Sequence, residues 1–415
     1  MTVDDSYGAG GRGTRVMLWA ALGIVLLAVL AVLGLHAWGA WKLAELERQA
    51  REAAPPAPAP AEPIPEAENG AARILSGAEL LSTDRHLLFW RLRHREVARW
   101  SEEDFAAARE LLLANAGALV RLRGAADLPR ASFTDLPGDW ATSSSPELLV
   151  LCEWAAGLLR LHAWVALAQG EPELAAGSVR ALARLAEALY GVPSVRAVTE
   201  GARAELEALR ALQGLIATGA TPDLLREVAA ALPDRDPRQA HRRVVAHLLE
   251  TLRAGAGTRG RGGVRSYATR DLRMAEAVAG SVAAAAAPDD RSLSAVLGEL
   301  TAAAGGRPEA RSESQTLTAT RTALAGRRLA RLAVALSAQA AATGGYPRTA
   351  PEAPGDPVEG GPFAYQLRAD GSVRLVYPEA WRAVQSAGGS QDLLDWTLPP
   401  PRPAPAQAPG EPADG

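Results

Sequence analysis

Apolar residues fill positions 16–38 (VMLWAALGIVLLAVLAVLGLHAW) without a single charge. At 1.5 Å per residue, a helix of this length reaches roughly 34 Å and can cross a hydrocarbon core of about 30 Å. Trp19 lies near one end and Trp38 near the other, where indole rings favour the headgroup region. We therefore predict a transmembrane helix at 16–41, preceded by a disordered tail at 1–15.

A cleaved signal peptide is the alternative interpretation of this stretch. The apolar run is far longer than the roughly 7–15 residues of a signal-peptide core, so an uncleaved anchor is favoured. Basic residues flank both ends and leave the orientation open. A short tail before the helix and a large remainder after it favour an N-terminus inside the cell and the bulk of the chain outside the cytoplasm.

Positions 42–70 are expected to form a helical stalk and then an extended linker. Residues 42–52 favour helix, whereas 53–67 hold six prolines and cannot continue it. A polyproline-type chain rises about 3.1 Å per residue, so the linker reaches roughly 40–45 Å when fully extended. We expect it to hold the folded part away from the membrane.

Helical periodicity dominates positions 71–313. Ser101 stands three residues before Asp104 as in a capping box, and Thr221 precedes a first-turn proline. A Gly-rich run at 254–263 indicates a flexible loop between helices. The predicted fold class is mainly α, with an array of antiparallel helical hairpins after the linker.

The 148–168 segment is apolar enough to suggest a second membrane span. Glu153 and Arg160 lie seven residues apart on one stripe of that helix, and a charge at the bilayer centre costs about 2.5–3.5 kcal/mol. A buried core helix is therefore favoured. It should pair with a helix at 172–190 in an antiparallel hairpin.

This hairpin carries a resemblance to a known repeat. Ala163, Gly170 and Ala175 resemble, by their spacing, three small-residue positions of the tetratricopeptide repeat, where small side chains let paired helices approach closely. Glu187 occupies the place of the usual proline, and no period of about 34 residues is sustained. The resemblance covers about one hairpin and implies a repeat-like helical array.

Beyond a last long helix at 314–342 the pattern changes to strict alternation. Apolar and polar residues alternate along 363–367 and again along 373–377, and Asp370 and Gly371 supply a tight-turn pair between them. This predicts a β-hairpin with one apolar face. A lone hairpin is marginally stable in water, so that face should pack on the preceding helix.

Helix and hairpin together give a predicted α+β module at 314–397, followed by a disordered tail at 398–415. The module resembles the C-terminal half of the major type II secretion pseudopilins, through Gly345, Tyr346, Pro347, Asp356, Pro357, Phe363, Tyr365, Asp370 and Gly371. No prepilin-peptidase motif precedes the apolar helix, so the resemblance implies a borrowed fold, and secretion only by analogy. The whole layout resembles single-pass bacterial envelope proteins.

Composition narrows the function classes. A net charge of −3 gives no basic field for nucleic acid. Lys42 is the only lysine in an Arg-, Ala-, Gly- and Pro-rich chain, which is typical of a GC-rich bacterial genome. Cys152 is the only cysteine, and no two histidines have the i, i+4 spacing of zinc ligands. We predict no metal, cofactor, nucleic acid or small-molecule substrate.

One charged face is a candidate contact surface. Arg321, Arg328 and Arg331 share a face of the last long helix. That face is either solvated or in contact with an acidic partner or anionic lipid headgroups.

Two functional hypotheses remain. The first is a non-enzymatic scaffold, anchored in the bacterial inner membrane, whose periplasmic helical array binds another envelope protein. The alternative is a membrane-tethered enzyme whose site forms from Glu153, Arg160 and His162, which lie in one buried helix.

The expected topology can be tested by fusing reporters after Gly70 and after Gly415. A reporter that works only outside the cytoplasm should be active at both positions, because a single span places everything after it on one side. Activity of a cytoplasm-only reporter at both positions would reverse the predicted orientation.

Overall fold

The computed structural model describes residues 10–53, 63–82, 86–94, 97–136, 146–244, 292–304, 308–389 and 391–401. Most of the 53–67 linker, the Gly-rich run at 254–263, the helices expected between 245 and 291, and most of the 398–415 tail lie outside these ranges.

A single helix, α1 (Gly10–Ala53), contains both the apolar stretch predicted to span the membrane and the predicted helical stalk. It begins six residues before the apolar stretch, where a disordered tail was expected, because helix propagates readily from an established ladder of hydrogen bonds. It ends just before the double proline at 55–56. Within α1, Met17–Leu35 is long and apolar enough to cross a membrane, and none of this window is buried.

In the residues that the structure describes, the first part of the body is helical apart from one isolated β-bridge between Asn69 and Arg130. Its helices are α2 (Gly70–Ala78), α3 (His86–His94), α4 (Glu102–Ala114), α5 (Ala116–Gly124), α6 (Pro146–Ala168), α7 (Pro172–Tyr190), α8 (Val195–Ala217) and α9 (Pro222–Ala231). The capping box at Ser101 and Asp104 is present, and the Thr221 side chain caps α9. Both helix starts predicted from the sequence are confirmed.

The centre of the body is formed by α6, α7 and α8, which pack on one another. The apolar window Glu147–Ala168 of α6 would also suffice to cross a membrane by length and composition, but 61% of it is buried inside the protein. This confirms a core helix. Gly170 adopts a φ of +74° in the short connection from α6 to α7, a conformation that a side chain would disfavour.

The C-terminal part adds α10 (Leu293–Ala304), α11 (Pro308–Thr343) and α12 (Pro378–Ser386), with strands β1 (Ala364–Leu367), β2 (Val373–Val376) and β3 (Asp395–Leu398). The strands form one antiparallel sheet in the order β1-β2-β3. The third strand was not expected, because the sequence pattern predicted only the two strands of the hairpin. A 3-10 turn at Gln391–Leu394 precedes β3.

The predicted hairpin is confirmed, and its turn contains Asp370 and Gly371 as expected. Tyr365 pairs with Leu375, and Gly371 N donates to Arg368 O at 3.0 Å. Gly371 has a φ of +81°, and the Asp370 carboxylate accepts from Ser372 N at 2.9 Å. This is the three-residue loop in which a type I turn is followed by a left-handed glycine.

The long helix α11 is packed into the helical body along α8 and α9. Gly326 allows the close approach, because a Cβ there would lie 3.0 Å from Leu209 Cδ1. Beside it, Arg327 Nε and Nη2 donate to Glu205 Oε1 and Oε2 at 2.5 and 2.7 Å. Tyr190 Oη donates to the same carboxylate at 2.7 Å.

All three groups of this cluster are buried. Burial alone would lower the pKa of the Arg327 guanidinium, but the Glu205 carboxylate outweighs burial and raises that pKa above its usual value. The pair is therefore ionic, and each member depends on the other for compensation of a buried charge.

Replacing Arg327 by Met should lower the free energy of unfolding by about 3–5 kcal/mol, because Glu205 is left buried without its counter-charge. The double variant Arg327→Met with Glu205→Leu should recover much of that loss. Urea unfolding of the detergent-solubilised chain, followed by tryptophan fluorescence, measures both. The control is Arg331→Met, whose ion pair with Asp234 is solvent-exposed and should contribute about 1 kcal/mol or less.

Candidate functional site

Six charged side chains meet in a groove between α6 and α8. The groove has a volume of about 350 Å³. Its charged lining consists of Glu153 and Arg160 from α6 and Glu200, Arg203, Glu207 and Arg210 from α8. Because each helix contributes residues seven apart, which lie on one face, the two charged stripes oppose each other along the groove. We call this feature the α6–α8 groove.

Within the groove the charges are paired. Arg203 Nη1 donates to Glu200 Oε1 at 2.7 Å, and Arg210 Nη1 donates to Glu207 Oε1 at 2.8 Å. Arg160 Nε lies 3.2 Å from Glu207 Oε2 and so links the two helices. The lining carries three arginines and three glutamates, and five of these six charges are joined in ion pairs.

The C-terminal part contacts the same face of α8. Arg210 Nε donates to Asp392 Oδ2 at 2.9 Å, and Gln213 Nε2 donates to Asp392 O at 3.2 Å. Burial by itself would lower the pKa of Arg210, but the carboxylates of Glu207 and Asp392 outweigh burial and raise it. Arg210 is therefore a permanent cation shared between the groove and the 3-10 turn before β3.

Cys152 lies at the floor of the groove and is buried. Burial, together with the nearby Glu200 carboxylate, raises the pKa of its thiol well above the ordinary value. A protonated, buried thiol is a poor nucleophile. Cys152 therefore serves as part of the apolar floor.

The residues considered for an enzymatic site do not converge. Glu153 and Arg160 line the groove, whereas His162 lies on another face of α6, with Nδ1 2.8 Å from Ser178 Oγ of α7. Two residues along a helix are about 200° apart, which accounts for the separation. Burial, and next the positive charge of Arg123, lower the pKa of His162 to about 4, so the imidazole is neutral at physiological pH.

The three arginines of α11 are used within the chain. Arg321 is buried and donates to Val358 O at 3.1 Å, and Arg328 donates to Gly355 O at 2.8 Å. Arg331 donates to Asp234 Oδ1 at 2.8 Å and is half-exposed. The expected charged surface is therefore largely covered, because the 355–358 loop folds back over this face of the helix.

The motif residues of the C-terminal part make structural contacts. Tyr346 Oη donates to Pro399 O at 2.9 Å, and Tyr365 Oη donates to Pro347 O at 2.5 Å. The Asp356 carboxylate accepts from Val358 N at 2.8 Å. The Gly345 carbonyl accepts a hydrogen bond from Thr343 Oγ1, and the Phe363 ring packs edge-on against Tyr377. Pro357 is buried.

Among the residues that the structure describes, no group of three or more His, Cys, Asp or Glu side chains is placed to hold a metal ion.

The sequence pattern that predicts the charged stripe of the groove is the Glu-x-x-Arg pair at 200–203, which is repeated seven residues later at 207–210 and was missed in the sequence analysis. Its spacing marks one charged helix face, but only the fold shows which helix lies opposite.

No protein-family model, curated protein or solved structure matches the chain. The tetratricopeptide and pseudopilin resemblances therefore gain no support from these comparisons.

His162 should make stability depend on pH. Because its folded-state pKa of about 4 lies below the ordinary 6.5, the unfolded chain binds more protons between these values, and stability falls as the pH drops through that window. His162→Gln should reduce the loss between pH 7 and pH 4 by about 2 kcal/mol, allowing for partial solvent screening. Urea unfolding at several pH values measures it.

The value at pH 8 serves as the control, because His162 is neutral there in both states and any difference reports the substitution itself. Parallel stability profiles for the two proteins from pH 7 to pH 4 would contradict the assignment.

Proposed function

We propose that this chain is a single-pass, membrane-anchored scaffold of the bacterial cell envelope, with its helical body outside the cytoplasm. In this proposal the body binds another envelope protein through the α6–α8 groove and performs no catalysis. The observation that carries it is the groove itself, which is lined by six charged side chains, five of them joined in ion pairs.

The anchor is supported by the contrast between the two apolar helices. No part of Met17–Leu35 is buried, whereas most of Glu147–Ala168 is covered by the body. Apolar surface of that extent is costly in water and is stabilised by hydrocarbon. Placement in the bacterial inner membrane, with the N-terminus inside, rests on composition and on the length of chain that follows the helix.

Protein recognition is supported by the charge pattern of the groove. Its three arginines and three glutamates give no net charge, so it favours neither a polyanion nor a polycation. Alternating, fixed charges instead select a surface with the complementary alternation and penalise any other, which is how charged interfaces achieve specificity. Arg203 is the natural contact, because its side chain is half-exposed at the groove.

The test is affinity capture of the full chain from detergent-solubilised membranes, comparing wild type with Arg203→Glu. The wild type should recover a partner in stoichiometric amount, and the variant should lose most of it, because like charges would then face each other across the interface. The matched control is Arg226→Glu, which reverses an exposed arginine of α9 outside the groove. Thermal unfolding establishes that each variant is folded.

Two outcomes contradict the proposal. One is a wild-type chain that captures no stoichiometric partner. The other is equal recovery with Arg203→Glu and with Arg226→Glu, which would place the contact elsewhere on the body.

A further inference from the structure

Exposed apolar side chains concentrate in the first helices of the body. Outside α1, the most exposed large apolar residues in the described ranges are Leu113 (77%), Leu87 (75%), Val120 (72%) and Leu80 (54%). The other large apolar side chains of the body are exposed to 42% or less. These four residues, the N-terminal apolar patch, fall within one stretch of the chain near the anchor.

A buried asparagine links two of the segments that carry patch residues. Asn115 Oδ1 accepts from Ser82 N at 2.8 Å, and Asn115 Nδ2 donates to Leu111 O at 2.9 Å. Leu80 lies two residues before Ser82, and Leu113 lies two residues before Asn115. Val120 follows Asn115 by five residues, or roughly 7.5 Å along α5. Leu87 belongs to α3, which packs against α4.

The anchor limits which surface can cover this patch. From Leu35 to Ala53, α1 extends about 27 Å beyond the apolar window, and the nine residues 54–62 add at most about 33 Å. The chain then enters the body at α2, whose C-terminal end carries Leu80. A tether of this length raises the effective concentration of the bilayer at the patch without requiring any other contact.

Charge alone does not select the partner. Arg91 and Arg121 are exposed beside patch residues, but Glu79 and Glu110 are exposed there as well. The apolar side chains therefore carry the contact, and the long arginine side chains can extend to lipid phosphates while their methylene groups stay at the interface.

We infer that the N-terminal apolar patch rests on the surface of the bilayer in which α1 is anchored. Leu80, Leu87, Leu113 and Val120 insert to the depth of the headgroups, so the body lies nearer to the bilayer than a fully extended linker would hold it. The inference relies on the membrane span of the proposed function and on no property of the α6–α8 groove.

The test uses the full chain in vesicles of phosphatidylethanolamine and phosphatidylglycerol, prepared with a nitroxide quencher either near the lipid headgroup or along the acyl chain. Cys152 is buried and remains unlabelled, so a single fluorophore can be attached to Leu113→Cys or Val120→Cys. Leu27→Cys in α1 is the positive control, and Leu367→Cys, an exposed leucine of β1, is the matched negative control.

Quenching is expected at positions 113 and 120 from the headgroup nitroxide and at position 27 from the acyl-chain nitroxide, and neither quencher should act at position 367. Quenching at 27 without quenching at 113 and 120 would overturn the inference and leave the anchor intact. A blue-shifted, unquenched fluorophore at 113 would also overturn it, because a protein surface would then cover the patch. Absence of quenching at 27 would overturn the membrane span and, with it, this inference.

Discussion

The ion pair between Glu205 and Arg327 holds the two parts of the body in one arrangement. A carboxylate and a guanidinium that are buried in a helix interface must contact each other, because an unpaired buried charge is strongly destabilising. This requirement restricts α8 and α11 to the single register that brings Glu205 and Arg327 together. Gly326 removes the side chain that would keep the helices apart, and Tyr190 completes the hydrogen bonding of the carboxylate. Strand β3 of the C-terminal sheet packs against both of these helices.

The opposite side of α8 faces α6 and carries the candidate site. Glu205 and Glu207 are two residues apart, which on a helix is about 200°, so one carboxylate points to the interior and the other to the groove. Arg210 then joins the groove to Asp392 of the C-terminal part. One helix therefore couples the packing of the whole body to the shape of the α6–α8 groove.

Local signals were sufficient for the elements whose cause is local. The apolar helix in α1, the capping box at Ser101 and the hairpin turn at Gly371 follow from nearby residues, and each is present. Strand β3 was missed because four residues pair only with a strand already in place. The groove was missed for the same reason. Glu153 and Arg160 form one wall of it, and the opposite wall is the charged stripe of α8, which only the tertiary structure places beside them.

By itself, the sequence determined the apolar helix, the helical character of the body, the break at the prolines and the C-terminal hairpin, because propensity, periodicity and turn chemistry act over a few residues. The tertiary structure alone decided which charges are buried. Arg321 and Arg327 cannot be told apart in the sequence, because both are arginines of the same long helix. In the structure, Arg321 donates to the backbone carbonyl of Val358 and Arg327 donates to the buried carboxylate of Glu205. That difference comes from distant segments folding over α11, an event no local pattern encodes.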